Sequence, residues 1–279
     1  MKRFLSLFRK NKATGKRNSY LILGCLFTGV ILLMVLIGLF YMPYPPTKMD
    51  ATSKLQGFSF KHWMGTDHMG RDVLSRVMYG SRVTLAIAAS TIIIGAGIGT
   101  IIGALTGYFG GIFDEISMRI IDAMLAFPSI LLSLVFVSLF GTGTYQVAVA
   151  LGISFVPSFA RIVRGEFLRS KNMDYVEVAR LQGVSDLRII FVHILPNTVG
   201  VLMSSIMIGF NNAVLAEAGL SFLGIGAQPP YASLGNMLSD AQSYLFNRPS
   251  YVIGIGVVIV IMVLGFSFLS EGIKRISNY

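Results

Sequence analysis

A chain of 279 residues in which 54% are hydrophobic and only 13% charged is not a soluble domain, where charged residues run at roughly 25%. The net charge of +10 does not point to nucleic acid, because the basic residues follow the ends of the apolar runs. The single cysteine, Cys25, excludes an intrachain disulfide framework or a cysteine-based metal site.

Residues 1–18 form a basic arm carrying Lys2, Arg3, Arg9, Lys10, Lys12, Lys16 and Arg17. Tyr20–Met42 then runs for 23 residues without a charge, enough for one transmembrane helix at about 20 residues per crossing. A signal-peptide core is shorter, and Met42-Pro-Tyr-Pro-Pro46 follows it in place of a small-residue cleavage site, so a retained span is expected. The segment Thr47–Gly80 holds the only tryptophan, Trp63. Within it, Val73, Leu74, Val77 and Met78 have helical spacing, which predicts a short amphipathic helix over Asp72–Tyr79 lying on the membrane surface. His62 and His68, with Asp67 and Asp72 nearby, make a metal site conceivable. The favoured reading is loop structure, with Asp67, Arg71 and Asp72 forming local ion pairs and helix caps.

Val83–Phe113 is charge-free for 31 residues, and Gly99, Gly103 and Gly107 repeat in it at intervals of four. Such a stripe lets another helix approach closely, and packing within the chain is favoured over a dimer contact. Ala123–Ala160 is charge-free for 38 residues, too long for one span, and Gly141-Thr142-Gly143 marks a turn that divides it. Thr198–Ala216 and Pro249–Ser270, of 19 and 22 residues, complete an all-α integral membrane protein of six transmembrane helices. Asp122 and Glu217 lie at or near membrane depth and are functional candidates for that reason. Asp122 is expected to pair with Arg119 one turn away, and Glu217 to order the segment after span five. Sixteen of the 23 basic residues fall on one side of this topology and seven on the other. The positive-inside rule then puts both termini in the cytoplasm and the 43–80 and 217–248 loops outside.

Between spans four and five, Arg161–Asn197 carries most of the polar chemistry. Asp174–Leu181 is expected to be a helix with Val176, Ala179 and Arg180 on one side and Glu177 within ion-pair reach of Arg180. Gly183 should end it. Ser185 or Asp186 can cap a second helix in which Leu187, Ile190, Phe191 and Ile194 form the apolar stripe, and Pro196 stops or bends the chain. The residues alone leave two readings open: an amphipathic hairpin resting on anionic lipid, or a handle gripped by a partner.

This island resembles the coupling-loop signature of binding-protein-dependent ATP-binding-cassette importer permeases: Glu-Ala-Ala, three residues, Gly, nine residues, Ile, one residue, Leu-Pro. Here it stands as Glu177-Val178-Ala179, Gly183, His193 and Leu195-Pro196. Val178 replaces the first Ala. His193 replaces the Ile, as in the peptide and nickel branch. Gly65-Thr-Asp-His-Met-Gly-Arg-Asp72, continuing to Ser75-Arg76, resembles the N-terminal signature of the second permease of dipeptide, oligopeptide and nickel importers. Leu215-Ala-Glu-Ala-Gly-Leu-Ser-Phe-Leu-Gly-Ile-Gly226, followed by Gln228-Pro-Pro230 and Gly235-Asn-Met-Leu238, resembles that subfamily's segment after span five. The tail, Glu271–Tyr279, lacks the family's Asp-Pro-containing end.

The resemblance implies a type I importer permease fold with a cytoplasmic coupling helix between spans four and five. Residues 1–80 would be the basic arm, first span and extracytoplasmic segment, and 81–279 a five-helix core with its coupling loop at 166–197. Coupling to the ATPase would fall to Asp174, Glu177, Ala179, Arg180, Gly183, Asp186, His193, Leu195 and Pro196. It also implies these partners: a second, homologous permease in a heterodimer, two ATPases that bind the ATP and magnesium, a solute-binding protein and membrane lipid. The location would be the bacterial inner membrane. No phosphate-binding loop occurs in the sequence, and no nucleophile–base pair stands out, so a non-catalytic subunit holding no cofactor is expected. The cargo would be di- or oligopeptides, with nickel or a metal chelate as the alternative. An autonomous secondary transporter is disfavoured because no inverted repeat shows, and a purely structural anchor would not need a glycine-hinged helix pair.

Overall fold

The computed structural model describes residues 19–228 and 230–277. The expected basic arm, Pro229 of the Gln-Pro-Pro segment and the last two residues of the tail lie outside the described residues. Helices account for the fold: α1 (Ser19–Phe40), α2 (Val73–Phe109), α3 (Gly111–Leu125), α4 (Ser129–Phe140), α5 (Thr144–Ser170) and α6 (Asp174–Leu181), followed by a single turn (Asp186–Arg188) and a wider-wound stretch (Ile189–Ile194), then α7 (Leu195–Phe222), α8 (Leu234–Gln242) and α9 (Pro249–Ser277). Among the described residues there is no strand beyond an isolated bridge between Thr66 and Asp72.

Among the described residues, five helical stretches are long and apolar enough to cross a membrane: α1, α2, α5, Asp186–Phe222 and α9. α3 and α4 meet at 97° and make a sixth span if taken together. Their break follows from Pro128, which lacks an N–H and pushes Phe127 out of helical geometry. The turn expected at Gly141–Gly143 is present, with φ of +88° and +143° at its two glycines.

The surface helix expected at 72–79 is not a separate element. Val73 begins α2, which runs unbroken for 37 residues. Asp72 caps it, accepting from the Ser75 N–H at 2.8 Å and the Ser75 hydroxyl at 2.7 Å. Val73, Ser75, Arg76 and Val77 are all buried, because these turns pack into a polar cluster instead of facing lipid.

By packing, the described chain forms two compact units: one takes the chain up to Ala88, Gly141–Val147 and everything from Asn211, the other Ala89–Phe140 and Ala148–Phe210. In the first, α1 and α9 meet at small residues. A Cβ on Gly24 would lie 2.5 Å from the Leu269 nitrogen, and one on Gly272 2.8 Å from Leu21. Asp67 organises the loop before α2, accepting from the N–H groups of Met69 (2.8 Å) and Arg71 (2.9 Å) and from Arg71 Nε (2.5 Å). His62 Nδ1 lies 2.9 Å from Asp72 Oδ1, while His68 stacks on Tyr244 at 5.7 Å. The two histidines therefore have separate partners, and among the described residues no metal-holding group of acidic, histidine or cysteine side chains is assembled. Asp50 caps the turn Ala51–Ser53, and hydrogen bonds from the hydroxyls of Thr52 and Ser53 to the charged form hold its carboxyl down at about 2. Glu217 is fully buried in α7 and accepts from the Ser221 hydroxyl at 2.7 Å. Ser221 Oγ in turn accepts from the Ala227 N–H at 3.4 Å, so Glu217 orders the following segment through that serine.

In the second unit, the glycine stripe of α2 lies on α5. A Cβ on Gly99, Gly103 or Gly107 would fall 2.6 Å from Phe159, 2.4 Å from the Ala160 carbonyl oxygen and 2.7 Å from Phe167. The stripe thus serves contact within the chain. Arg164 of α5 holds Asp114 of α3 through two hydrogen bonds of 2.5 and 2.7 Å. The expected Asp122–Arg119 pair does not form. Asp122 bonds Arg161 of α5, and the exposed Arg119 turns toward Glu115 at 3.9 Å. A partner on the adjacent helix fits the direction of Asp122 better than one three residues back.

Candidate functional site

The polar island is docked onto the second unit by a few apolar side chains. Asp174 and Glu177 lie in the first turn of α6 and Arg180 in its last, the arrangement the helix dipole favours. Val176 and Ala179 are its buried residues. They enter a cluster made by Ala104 and Tyr108 of α2, Val163 and Phe167 of α5, and Ile189, Ile190 and Ile194. Burying a valine of this kind contributes about 1.5–3 kcal/mol, enough to seat an eight-residue helix that would not form alone.

The stop at Gly183 is fully formed. Its φ is +72°. The Gly183 N–H donates to the Arg180 carbonyl at 2.9 Å and the Val184 N–H to the Ala179 carbonyl at 3.1 Å, the paired bonds of a Schellman ending. Val184 packs on the same apolar cluster as Ala179, which adds the hydrophobic contact of that motif.

Beyond Gly183 the structure departs from expectation. Ser185 takes the N-cap position of the next turn, but its side chain makes no cap bond, and Asp186 lies inside that turn. The Asp186 carboxylate instead accepts from the Tyr108 hydroxyl at 2.5 Å. Arg180 does not pair with Glu177. Its guanidinium lies over the Tyr108 ring, 5.3 Å from the centroid, a cation–π placement. Tyr108 therefore ties both arms of the island to the end of α2. The expected stripe of Leu187, Ile190, Phe191 and Ile194 is also shifted: Ile189, Ile190 and Ile194 are buried, while Leu187 and Phe191 are exposed. The cause is the wider winding of Ile189–Ile194, where the Leu195 N–H reaches back five residues to the Ile190 carbonyl. Pro196, which cannot donate, follows directly, and the helix absorbs it here instead of ending.

The nine expected site residues divide by position. Asp174, Glu177 and Gly183 face outward, and Pro196 is also exposed. Ala179 is buried and Leu195 packs against the apolar cluster. Arg180 and Asp186 are exposed residues held by Tyr108. His193 is half-buried, and its backbone carbonyl accepts from Asn197 Nδ2 at 2.8 Å. Two residues escaped the sequence reading. Leu181 is 87% exposed on the outer face of α6, and Tyr108 is the anchor. The available signal for Tyr108 was an aromatic ring with a polar tip at the end of a charge-free run. Replacing Tyr108 with Phe should leave the fold intact but free Asp186, weakening the docking by about 1–2 kcal/mol. Amide exchange in 174–190 should then speed up about tenfold; unchanged protection there would show that Tyr108 does not hold the island.

The chain shares its fold with a chain of the MetNI methionine ABC transporter in an inward-facing conformation, at TM-score 0.59 and 21% identity over 72% of this chain and 95% of that one. Residues 99–278 match the binding-protein-dependent transport system inner membrane component, and the chain belongs to that family. It is a permease subunit of an ATP-binding-cassette importer, an inner membrane component that works with ATPase and solute-binding partners. It is 34% identical to the dipeptide transport system permease protein DppC of Haemophilus influenzae, over 93% of this chain and 90% of that protein. It is 39% identical to the glutathione transport system permease protein GsiD of Pectobacterium atrosepticum, over 88% and 82% of the two chains.

Proposed function

We infer that this chain is one half of a heterodimeric permease for di- or oligopeptides, driven by two ATPases, one of which grips α6. The observation that carries the reading is the two-sidedness of that helix. Val176 and Ala179 bury one side, while Glu177, Val178 and Leu181 stand uncovered on the other. A short helix with an apolar, acidic outer face suits insertion into a groove on a soluble partner. In this reading Asp174, Glu177 and Leu181 meet the ATPase, and Gly183 fixes the angle at which α6 leaves. Ala179, Arg180, Asp186, His193, Leu195 and Pro196 transmit its displacement to span five. Closure of the ATPase pair on ATP and magnesium favours one arrangement of α6, and the spans follow it. The subunit itself is then non-catalytic, with both termini and the island in the cytoplasm, as the basic-residue asymmetry favours. The names of the dipeptide and glutathione relatives support a peptide cargo over nickel.

A cysteine at Leu181, in a chain whose Cys25 is replaced by serine, should crosslink to the ATPase in the assembled transporter. The yield should change between nucleotide-free and ATP-trapped states. Absence of any crosslink in both states would remove the coupling role. Uptake of a labelled dipeptide by the same complex, competed by glutathione but not by nickel ion, is the expected cargo result; nickel uptake without peptide uptake would reverse it.

A further inference from the structure

The loop between α1 and α2 carries a rigid aromatic tip that no other described residue covers. Phe60 and Lys61 form the two-residue end of a tight turn. It is closed by the Ser59 N–H on the His62 carbonyl at 2.9 Å and the His62 N–H on Ser59 Oγ at 3.0 Å. Phe60 is entirely uncovered, Trp63 is 72% exposed and Phe58 is exposed beside them. Exposed aromatics on a flexible loop would carry no meaning, but this turn is fastened. His62 is buried against Asp72, the cap of α2, at 2.9 Å, and its ring packs on Tyr44 at 4.7 Å. The Tyr44 hydroxyl donates to the Lys61 carbonyl at 3.1 Å, and the Tyr44 N–H to Ser75 Oγ.

Tyr44 also sets the height of the tip. α1 is 22 residues long, about 33 Å at 1.5 Å per residue, and so matches the hydrocarbon thickness of roughly 30 Å. Its end at Phe40 therefore lies where chain and headgroup meet, and Phe40 and Tyr41 are both exposed there. Only three residues separate Phe40 from Tyr44, and the Tyr44 side chain joins that position to the tip. The tip is thus tethered within a few residues' reach of the span's end, where Phe40 and Tyr41 are exposed. Aromatic rings with a flanking lysine are the composition that partitions into the interface, the lysine reaching phosphate while the rings reach the acyl boundary.

We propose that the Phe58–Trp63 turn is an interfacial anchor that inserts Phe58, Phe60 and Trp63 into the lipid headgroup boundary and so fixes the loop before α2 to the membrane surface. The membrane contact expected of residues 72–79 is made by this turn instead.

Because Trp63 is the only tryptophan, the assembled transporter minus its Trp63→Phe counterpart gives a difference emission belonging to this site alone. The samples are vesicles of phosphatidylethanolamine and phosphatidylglycerol, with acyl chains brominated near the headgroup or near the chain end. The expected emission is blue-shifted and quenched about threefold more by the shallow than by the deep bromine. Aqueous iodide should quench it about threefold less than free tryptophan. Replacing Phe58 and Phe60 together by serine should raise the iodide quenching of Trp63. Quenching by iodide as strong as for free tryptophan, with no effect of brominated lipid, overturns the proposal. Shielding that arises only when a solute-binding protein is added overturns it too, by assigning the face to that protein.

Discussion

Gly103→Val should all but remove the chain from the membrane, whereas Gly97→Val on the same helix should be tolerated. The two glycines lie six positions apart in α2 and differ in what surrounds them. A Cβ at residue 103 would stand 2.4 Å from the Ala160 carbonyl oxygen and 2.9 Å from the Arg164 nitrogen. Both obstacles are helix backbone, which cannot swing aside as a side chain can. A Cβ at residue 97 meets nothing within 4 Å. Valine at 103 must push α2 and α5 apart, at a cost of about 3 kcal/mol or more, a large share of a typical stability. The expected readout is a fall in membrane-extracted, folded protein of more than about tenfold for Gly103→Val and less than about twofold for Gly97→Val. Gly103→Ala should lie between them. Equal yields for the two valine variants would show that the stripe is not a packing contact.

Gly183→Val should give the opposite pattern, with normal accumulation and little transport. Nothing lies within 4 Å of a Cβ placed there, so no clash disrupts the fold. The difficulty is the backbone. A φ of +72° costs a β-branched residue about 1–3 kcal/mol, and the chain can relieve it only by giving up the two bonds that end α6. The angle between α6 and Val184 then changes, and with it the face that the proposed coupling would offer to the ATPase. ATP-dependent uptake by the reconstituted transporter should drop about tenfold or more, while Gly183→Asn, whose side chain tolerates the left-handed region, should lose only about twofold. Full uptake by the valine variant would sink the coupling assignment of this segment.

The difference between these two glycines also shows what could be read from sequence. Both were visible there, Gly103 as part of a four-residue repeat and Gly183 as a helix stop, because spacing and backbone permissiveness are local properties. The spans were equally legible, since an uncharged run of about 20 residues has few other uses. What escaped depended on partners distant in the chain. Asp122 pairs with Arg161, 39 positions on, and no local rule selects that residue over Arg119. Asp186 looked like a cap, and Tyr108, 78 positions earlier, takes it instead. Residues 72–79 had the pattern of a surface helix, but their polar residues face a buried cluster whose members come from several segments. The shift of the Leu187–Ile194 stripe came from a change of winding that periodicity, which assumes a constant turn, cannot anticipate. Pro128 was in plain view, yet nothing in its local sequence gives the 97° at which α3 and α4 meet.

The stripe of glycines has a mechanical consequence for the segment docked at its end. Where helices touch through long side chains, a load on one is partly absorbed as rotamers change. α2 and α5 touch through backbone along Gly99, Gly103 and Gly107, leaving no such slack. Phe167, against which Gly107 rests, is also a wall of the pocket that holds Val176. If α6 is gripped as proposed, a thrust on it would be borne by residues 99–109 of α2 and the facing part of α5, clamped together like a strut.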